Sequence, residues 1–314
     1  MQSFKFRLLL IIIFAKNNAM NLQQNDLVAL VSPAGYLADK QVVEQAVSLL
    51  NKWKLRSYVA PNALKQYGHF AGTDQERLSD LQAAMDNPEV KMIWALRGGY
   101  GSIRIVDQLD FTKIKRQPKL LVGFSDITIL HQKWQQQGFE SLHALMPVQL
   151  KNKISKNVIK QTKMALFKHH VSYQFETNAY TTNFTEVSGQ VIGGNLANLY
   201  SLLGTNLDFD THNKILFIED VGEQLYNIDR MIIALKKSGK FNNLKALLIG
   251  QFTDIPNNNP AFGKSVEEII LEHAGSTIPV IFKAPIGHIT NNYPLFLGKK
   301  LTISKQNDTI HLSQ

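Results

Sequence analysis

The apolar positions of this chain fall into short unbroken runs separated by longer stretches of helical spacing. Residues 27–32 (Leu-Val-Ala-Leu-Val-Ser) form the first run, broken by Pro33-Ala34-Gly35. Over 39–53 the spacing predicts a helix with Val42, Val43, Ala46, Leu49 and Leu50 on one face. Residues 56–60 read as a strand ended by Pro61, and 78–85 as a helix that stops before Pro88. A strand over 90–96 runs into Arg97-Gly98-Gly99-Tyr100-Gly101, followed by a helix over 103–109, a strand over 119–122 and a helix over 127–137. Strands without alternation, each followed by a helix, specify βαβ units and a parallel sheet covered on both faces. An open α/β domain over 25–150 is the expectation.

The second half changes character. Residues 151–182 are polar and lysine-rich and read as a connection carrying one helix, so 151–184 is expected to join two domains. Then come Ser188-Gly189-Gln190-Val191-Ile192-Gly193-Gly194-Asn195 and an apolar helix over 196–203. Strands are predicted at 215–218, 246–249 and 279–282, with helices over 228–237 and 266–274. A terminal hairpin is predicted from 300–303 and 309–312 around Asn307-Asp308. The domain over 185–314 is therefore expected to be α+β with several short strands.

Composition narrows the class. The 314 residues, 44% hydrophobic and 19% charged, suit two packed domains. A formal net charge of +9 raises nucleic acid as a partner. The lysines are scattered, however, without an aromatic nucleic-acid motif, a zinc-finger spacing or an extended basic stripe, so a solvated basic surface is the expectation. With no cysteine, disulfides and thiolate chemistry are excluded, which suits a reducing compartment. No His-Glu-x-x-His or comparable spacing predicts a metal site. At the N-terminus, Lys5 and Arg7 precede Leu8-Leu9-Leu10-Ile11-Ile12-Ile13-Phe14-Ala15, a pattern like a signal peptide but too short to span a bilayer. The following residues lack a small-x-small cleavage pattern, and Met20 stands directly before the first globular segment. Residues 1–24 thus read as a leader or an over-extended start. A cytoplasmic location is expected, with export through a signal peptide as the alternative.

Three separated segments offer hydrolytic chemistry. Ser125 follows the run Leu120-Leu121-Val122 at a turn into a helix, where free N–H groups and the helix dipole favour negative charge. A plain helix N-cap is the competing reading. Glu219 and Asp220 end an apolar strand, where an unpaired carboxylate is costly; either could accept from a histidine, and capping the turn at Val221-Gly222 is the alternative. His288 lies in the Gly/Pro-punctuated Ala284-Pro285-Ile286-Gly287-His288. A serine hydroxyl needs a base, and that base needs an orienting group. Gly98-Gly99 lets backbone N–H groups approach a ligand or an oxyanion closely; a simple tight turn is the alternative. The Gly-x-Ser-x-Gly elbow is absent because residue 127 is Ile.

Together these segments resemble the LD-carboxypeptidases, a family of serine peptidases. The matching stretches are Val31-Ser32-Pro33-Ala34-Gly35, Arg97-Gly98-Gly99-Tyr100-Gly101, Gly123-Phe124-Ser125-Asp126-Ile127-Thr128, Gly193-Gly194-Asn195-Leu196, Ile218-Glu219-Asp220 and Pro285-Ile286-Gly287-His288, in family order from about residue 25 onward. One departure is Leu142-His143-Ala144, where the family more often has glycine after the histidine. The resemblance implies Ser125 as nucleophile, His288 as general base and acid, and Glu219 as the orienting acid. It implies an oxyanion hole from the N–H groups of Asp126 and Gly99. Gly98 and Asn195 are placed at the substrate, and Arg97 is a candidate partner for its carboxylates. It further implies an N-terminal flavodoxin- or amidotransferase-like parallel-sheet α/β domain, a smaller β-rich C-terminal domain, no cofactor, a muropeptide substrate and a homodimer, with neither nucleic acid nor stable membrane insertion. The implied reaction releases terminal D-alanine from murein tetrapeptide. The rivals are a related hydrolase of peptidyl-nucleotide antibiotics and a non-enzymatic ligand-binding module.

Overall fold

The computed structural model describes residues 21–256 and 259–314. The expected leader falls almost wholly on residues 1–20, outside the described residues. In the first half, β1 (Leu27–Val31), β2 (Arg56–Val59), β3 (Val90–Ala95), β4 (Leu120–Gly123) and β5 (Ser141–His143) are interleaved with four helices. These are α1 (Gln41–Lys52), α2 (Asp74–Asp86), the single turn α3 (Ser102–Ile105) and α4 (Thr128–Gln136). The core of β1, β3 and β4 is wholly buried, as continuous apolar runs require. Helix α2 starts four residues before the apolar pattern does. A capping box sets its start: Thr73 Oγ1 accepts from the Glu76 amide at 3.3 Å, and Glu76 accepts from the Thr73 amide at 2.8 Å.

The second half contains α5 (Lys156–Lys168), β6 (Ser172–Glu176), β7 (Glu186–Asn195), α6 (Leu196–Ser201), β8 (Lys214–Val221), α7 (Leu225–Lys237), β9 (Ala246–Thr253), α8 (Val266–Ala274) and β10 (Val280–Ile281). It closes with β11 (Leu295–Leu297), β12 (Lys300–Gln306) and β13 (Thr309–Ser313). The predicted terminal hairpin is present, pairing Gln306 with Thr309. Four strands differ from the sequence reading: β5, β6 and β11, and β7, whose segment carries Gly189, Gly193 and Gly194 and is not predicted as a strand. β6 lies inside the expected connection, and only Tyr173 of its five residues is buried, which left little apolar signal. β5 and β11 are three residues each, too short to show a period.

The first sheet runs β11-β5-β4-β3-β1-β2. Its first five strands are parallel in the order 2-1-3-4-5 of flavodoxin-type folds, and β11 adds an antiparallel edge on β5. A strand from the far end of the chain thereby completes the N-terminal sheet. The second sheet runs β10-β9-β8-β7-β12-β13-β6; β7 to β10 are parallel and β12, β13 and β6 antiparallel. The chain is thus a mixed α/β protein with an N-terminal parallel-sheet domain and a β-rich C-terminal domain. One contiguous core joins them, with Val191, Ile215, Phe217 and Leu248 of the second sheet packed into the apolar interior of the first domain. A separate cluster fills the space between the second sheet and α6, α7 and α8. Among the described residues, no helix is long and apolar enough to cross a membrane.

Candidate active site

Open parallel sheets present functional groups beyond the carboxyl ends of their strands. There the loops after β1, β3 and β4 meet. Past Gly123, Ser125 adopts φ +64°, a left-handed conformation uncommon for a residue with a side chain and typical of strain held at a site. Residues 125–127 form one 3-10 turn leading into α4, and neither that turn nor α4 is capped by a side chain. The Ser125 hydroxyl instead lies 2.9 Å from His288 Nε2. The glycine loop crosses directly over it. A Cβ on Gly98 would fall 2.7 Å from Ser125 Cβ and 2.9 Å from its Oγ, so no side chain fits there.

His288 Nδ1 stands 2.7 Å from Glu219 Oε2, which assigns the Nδ1 proton to that bond. Glu219 is fully buried at the end of β8. The β8–β9 register slips between Ile218 and Asp220, a bulge of the kind that re-aims one side chain out of a regular ladder. Gly287, at φ +127°, lies so close to Glu219 that a Cβ would meet Oε2 at 2.9 Å. Its amide donates to Asn292 Oδ1 at 2.9 Å, pinning the histidine loop. Burial pulls the His288 imidazole down, but the Glu219 carboxylate, with Asp220 and Asp254 beyond, outweighs it and leaves the pKa above the usual histidine value. The Phe124 ring packs 4.9 Å from the imidazole.

The other expected site residues surround this run. Asp126 is buried, and its carboxylate accepts from the Ser102 amide at 2.8 Å. The nucleophile turn is thereby tied to the end of the glycine loop. Burial pushes this carboxyl up, against the opposing hydrogen bonds from Ser102 and Gly101. Gly99 has φ +107° and packs on Gly35. Arg97 donates from Nη1 to the Tyr36 carbonyl at 2.7 Å, and its guanidinium lies against Gly35 and Gly99. Asn195 is buried with its amide engaged by Asp220 and Asn198, so it faces the protein interior.

Two contributors, Arg77 and His143, escaped sequence reasoning. Buried Arg77 on α2 donates from Nη1 to the carbonyls of Pro33 and Gly101, binding two site loops together, and pairs with Asp74. The signal was a charged residue directly before the apolar stripe of α2. His143, at the departure from the family pattern, is buried between Phe124 and Phe217 under the site, and burial holds its pKa well below the usual value. The sequence leaves Asp220 beside Glu219 as a candidate acceptor for a histidine; its carboxylate instead accepts from Asn195, Ala197 and Val221, and Glu219 meets His288. Among the described residues, no group of three or more His, Asp or Glu side chains is arranged to hold a metal ion.

Residues 28–144 match the LD-carboxypeptidase N-terminal domain and residues 188–303 the LD-carboxypeptidase C-terminal domain. A probable murein peptide carboxypeptidase of Bacillus subtilis is 30% identical over 298 residues, covering 92% of each chain. The crystal structure of a muramoyltetrapeptide carboxypeptidase from Oxalobacter formigenes superposes with a TM-score of 0.82 at 27% identity, covering 91% of this chain and 98% of that one. The microcin C7 self-immunity protein in complex with aspartyl sulfamoyl adenosine shares the fold, with a TM-score of 0.84 at 20% identity over 94% of this chain and 97% of its own. By sequence over nearly its whole length, the chain belongs to the LD-carboxypeptidase family.

Proposed function

We propose that this protein is a serine carboxypeptidase that hydrolyses the L,D-amide bond of murein tetrapeptide and releases terminal D-alanine. The observation that carries the reading is the hydrogen-bonded run from Glu219 through His288 to Ser125, at 2.7 and 2.9 Å, inside a chain of this family. Ser125 Oγ attacks the scissile carbonyl carbon while His288 Nε2 takes its proton. Glu219 holds the Nδ1–H, fixes the tautomer and stabilises the imidazolium that forms. The tetrahedral oxyanion is received by the N–H groups of Asp126 and Gly99. Collapse breaks the C–N bond, and His288 returns its proton to the leaving amine of D-alanine. Water, activated by the same imidazole, then clears the acyl-serine. Arg97, with its guanidinium beside the glycine loop, is the proposed partner for a substrate carboxylate. Its Nη1 is held by Tyr36, which aims the rest of the group.

A cytoplasmic homodimer without metal or organic cofactor belongs to the same reading; the cysteine-free chain suits a reducing compartment. The self-immunity protein shares the fold only and favours no second substrate. Labelling by a fluorophosphonate separates an enzyme from a ligand-binding module. A single adduct mapped to Ser125, blocked by prior incubation with murein tetrapeptide, is expected. An unlabelled Ser125 in folded protein would contradict it.

A further inference from the structure

Behind the Ser125–His288–Glu219 run lies a second buried carboxylate that the hydrolytic steps leave unused. Asp220 follows Glu219 on β8, is 3% exposed, and accepts from three N–H donors. These are Asn195 Nδ2 at 2.8 Å, the Ala197 amide at 2.9 Å and the Val221 amide at 2.8 Å. Asn195 Oδ1 in turn accepts from the amide and the side chain of Asn198 at 3.2 and 2.8 Å. The backbone N–H of Asn195 donates to Thr128 Oγ1 at 3.0 Å. Thr128 opens α4, three residues after Ser125. A continuous hydrogen-bonded path therefore runs from the helix behind the serine, through the Asn195 turn, to the strand that presents Glu219.

The path reaches Glu219 where the sheet is least regular. Asn195 registers opposite Glu219 across the β7–β8 ladder, while the β8–β9 ladder slips at that residue. Two adjacent buried carboxylates repel each other, and burial followed by the Glu219 charge holds the Asp220 pKa up to about 7. A residue serving packing alone would avoid that cost. Three N–H donors converging on one side chain require two acceptor oxygens, which a carboxylate supplies and an amide does not.

We propose that Asp220 is a positioning residue for the reaction: it ties the end of β8 to the Asn195 turn and through it to α4, fixing where Glu219 meets His288. This rests on the reading of Ser125, His288 and Glu219 as the reacting set. The charged and titratable groups facing His288 are Glu219 and Asp220 from β8, Asp254 beyond β9 and His143 from β5. Removing the negative charge at 220 therefore makes His288 less basic.

Asp220→Asn sets an NH2 group against N–H donors. It is expected to lower kcat for D-alanine release roughly 10- to 100-fold, the effect of a small displacement of reacting groups. KM should stay within about twofold, and the acid limb of kcat/KM should move to lower pH. Adding Asn195→Asp to Asp220→Asn gives the new NH2 group an acceptor but leaves one backbone N–H, from Ala197 or Val221, facing it, so a partial recovery of the lost kcat is expected. If Asp220→Asn does not fold, Asn195→Ser is the second variant: it keeps a cap oxygen for Asn198, withdraws the NH2 donor from Asp220, and carries the same expectation for kcat and KM. Unchanged kcat, or a lowered kcat with an unmoved acid limb and no recovery in the double variant, overturns the inference. Ser125→Ala run alongside separates the failures. Turnover by Ser125→Ala ends the reading of the reacting set, whereas an inactive Ser125→Ala beside a fully active Asp220→Asn ends only the role of Asp220.

Discussion

At the scale of single residues, the site depends on making one imidazole basic without exposing it. His288 is held above the usual histidine value because the Glu219 carboxylate outweighs burial. A base must be neutral to accept the serine proton, so activity should fall as pH drops through this raised value, starting above about 6.5. Glu219→Gln removes the main opposing charge. Its acid limb should shift downward and kcat should fall roughly 10³- to 10⁴-fold, the scale set by losing the orienting acid in serine triads. Full pH–rate profiles of both proteins check this; an unmoved limb would assign the basicity of His288 elsewhere. The same shift has a stability consequence of defined sign. Because the folded pKa is raised, the contribution is fully present below the unfolded value near 6.5 and is lost as pH rises through the folded value.

At the scale of elements, the site is a set of loops held at a fixed spacing by buried polar groups. Arg77 illustrates it: one guanidinium from α2 donates to the Pro33 and Gly101 carbonyls, and Asp126 answers from the other side through the Ser102 amide. Arg77→Met should lower the unfolding free energy by about 2–3 kcal/mol, because two carbonyls lose a charged donor. Urea titration reads the loss; a change below about 0.5 kcal/mol would mean that the loops hold themselves. Much at this scale was legible in the sequence. Buried parallel strands such as Leu120–Gly123 announce themselves as unbroken apolar runs, and Ser125, Glu219 and His288 each stand where a run gives way to a turn. Arg77 and Asp220 were not legible in their roles, because their partners lie far along the chain or in backbone atoms. The start of α2 was encoded in Thr73 and Glu76, whose capping chemistry extends a helix beyond its apolar stripe.

At the scale of the whole molecule, serine and base come from different halves yet meet across one continuous core. Strand β11, from residues 295–297, completes the first sheet beside β5, and Phe217 and Leu248 of the second sheet pack into the interior of the first domain. Pairings spanning some 150 residues between three-residue strands leave no local periodicity, so this interlocking was invisible in the sequence. It should make unfolding concerted. All three tryptophans, Trp53, Trp94 and Trp134, lie in the first half, whereas far-ultraviolet circular dichroism reports both sheets. The two probes should give coincident denaturation curves; separated midpoints would show two halves that unfold independently.

Mass spectrometry of murein tetrapeptide incubated with the wild-type protein and with folded Ser125→Ala tests the chemistry most directly. The expected result is tripeptide and free D-alanine from the wild type and intact tetrapeptide with Ser125→Ala. Release of D-alanine by Ser125→Ala at a comparable rate, or an untouched tetrapeptide with the wild type, would contradict it.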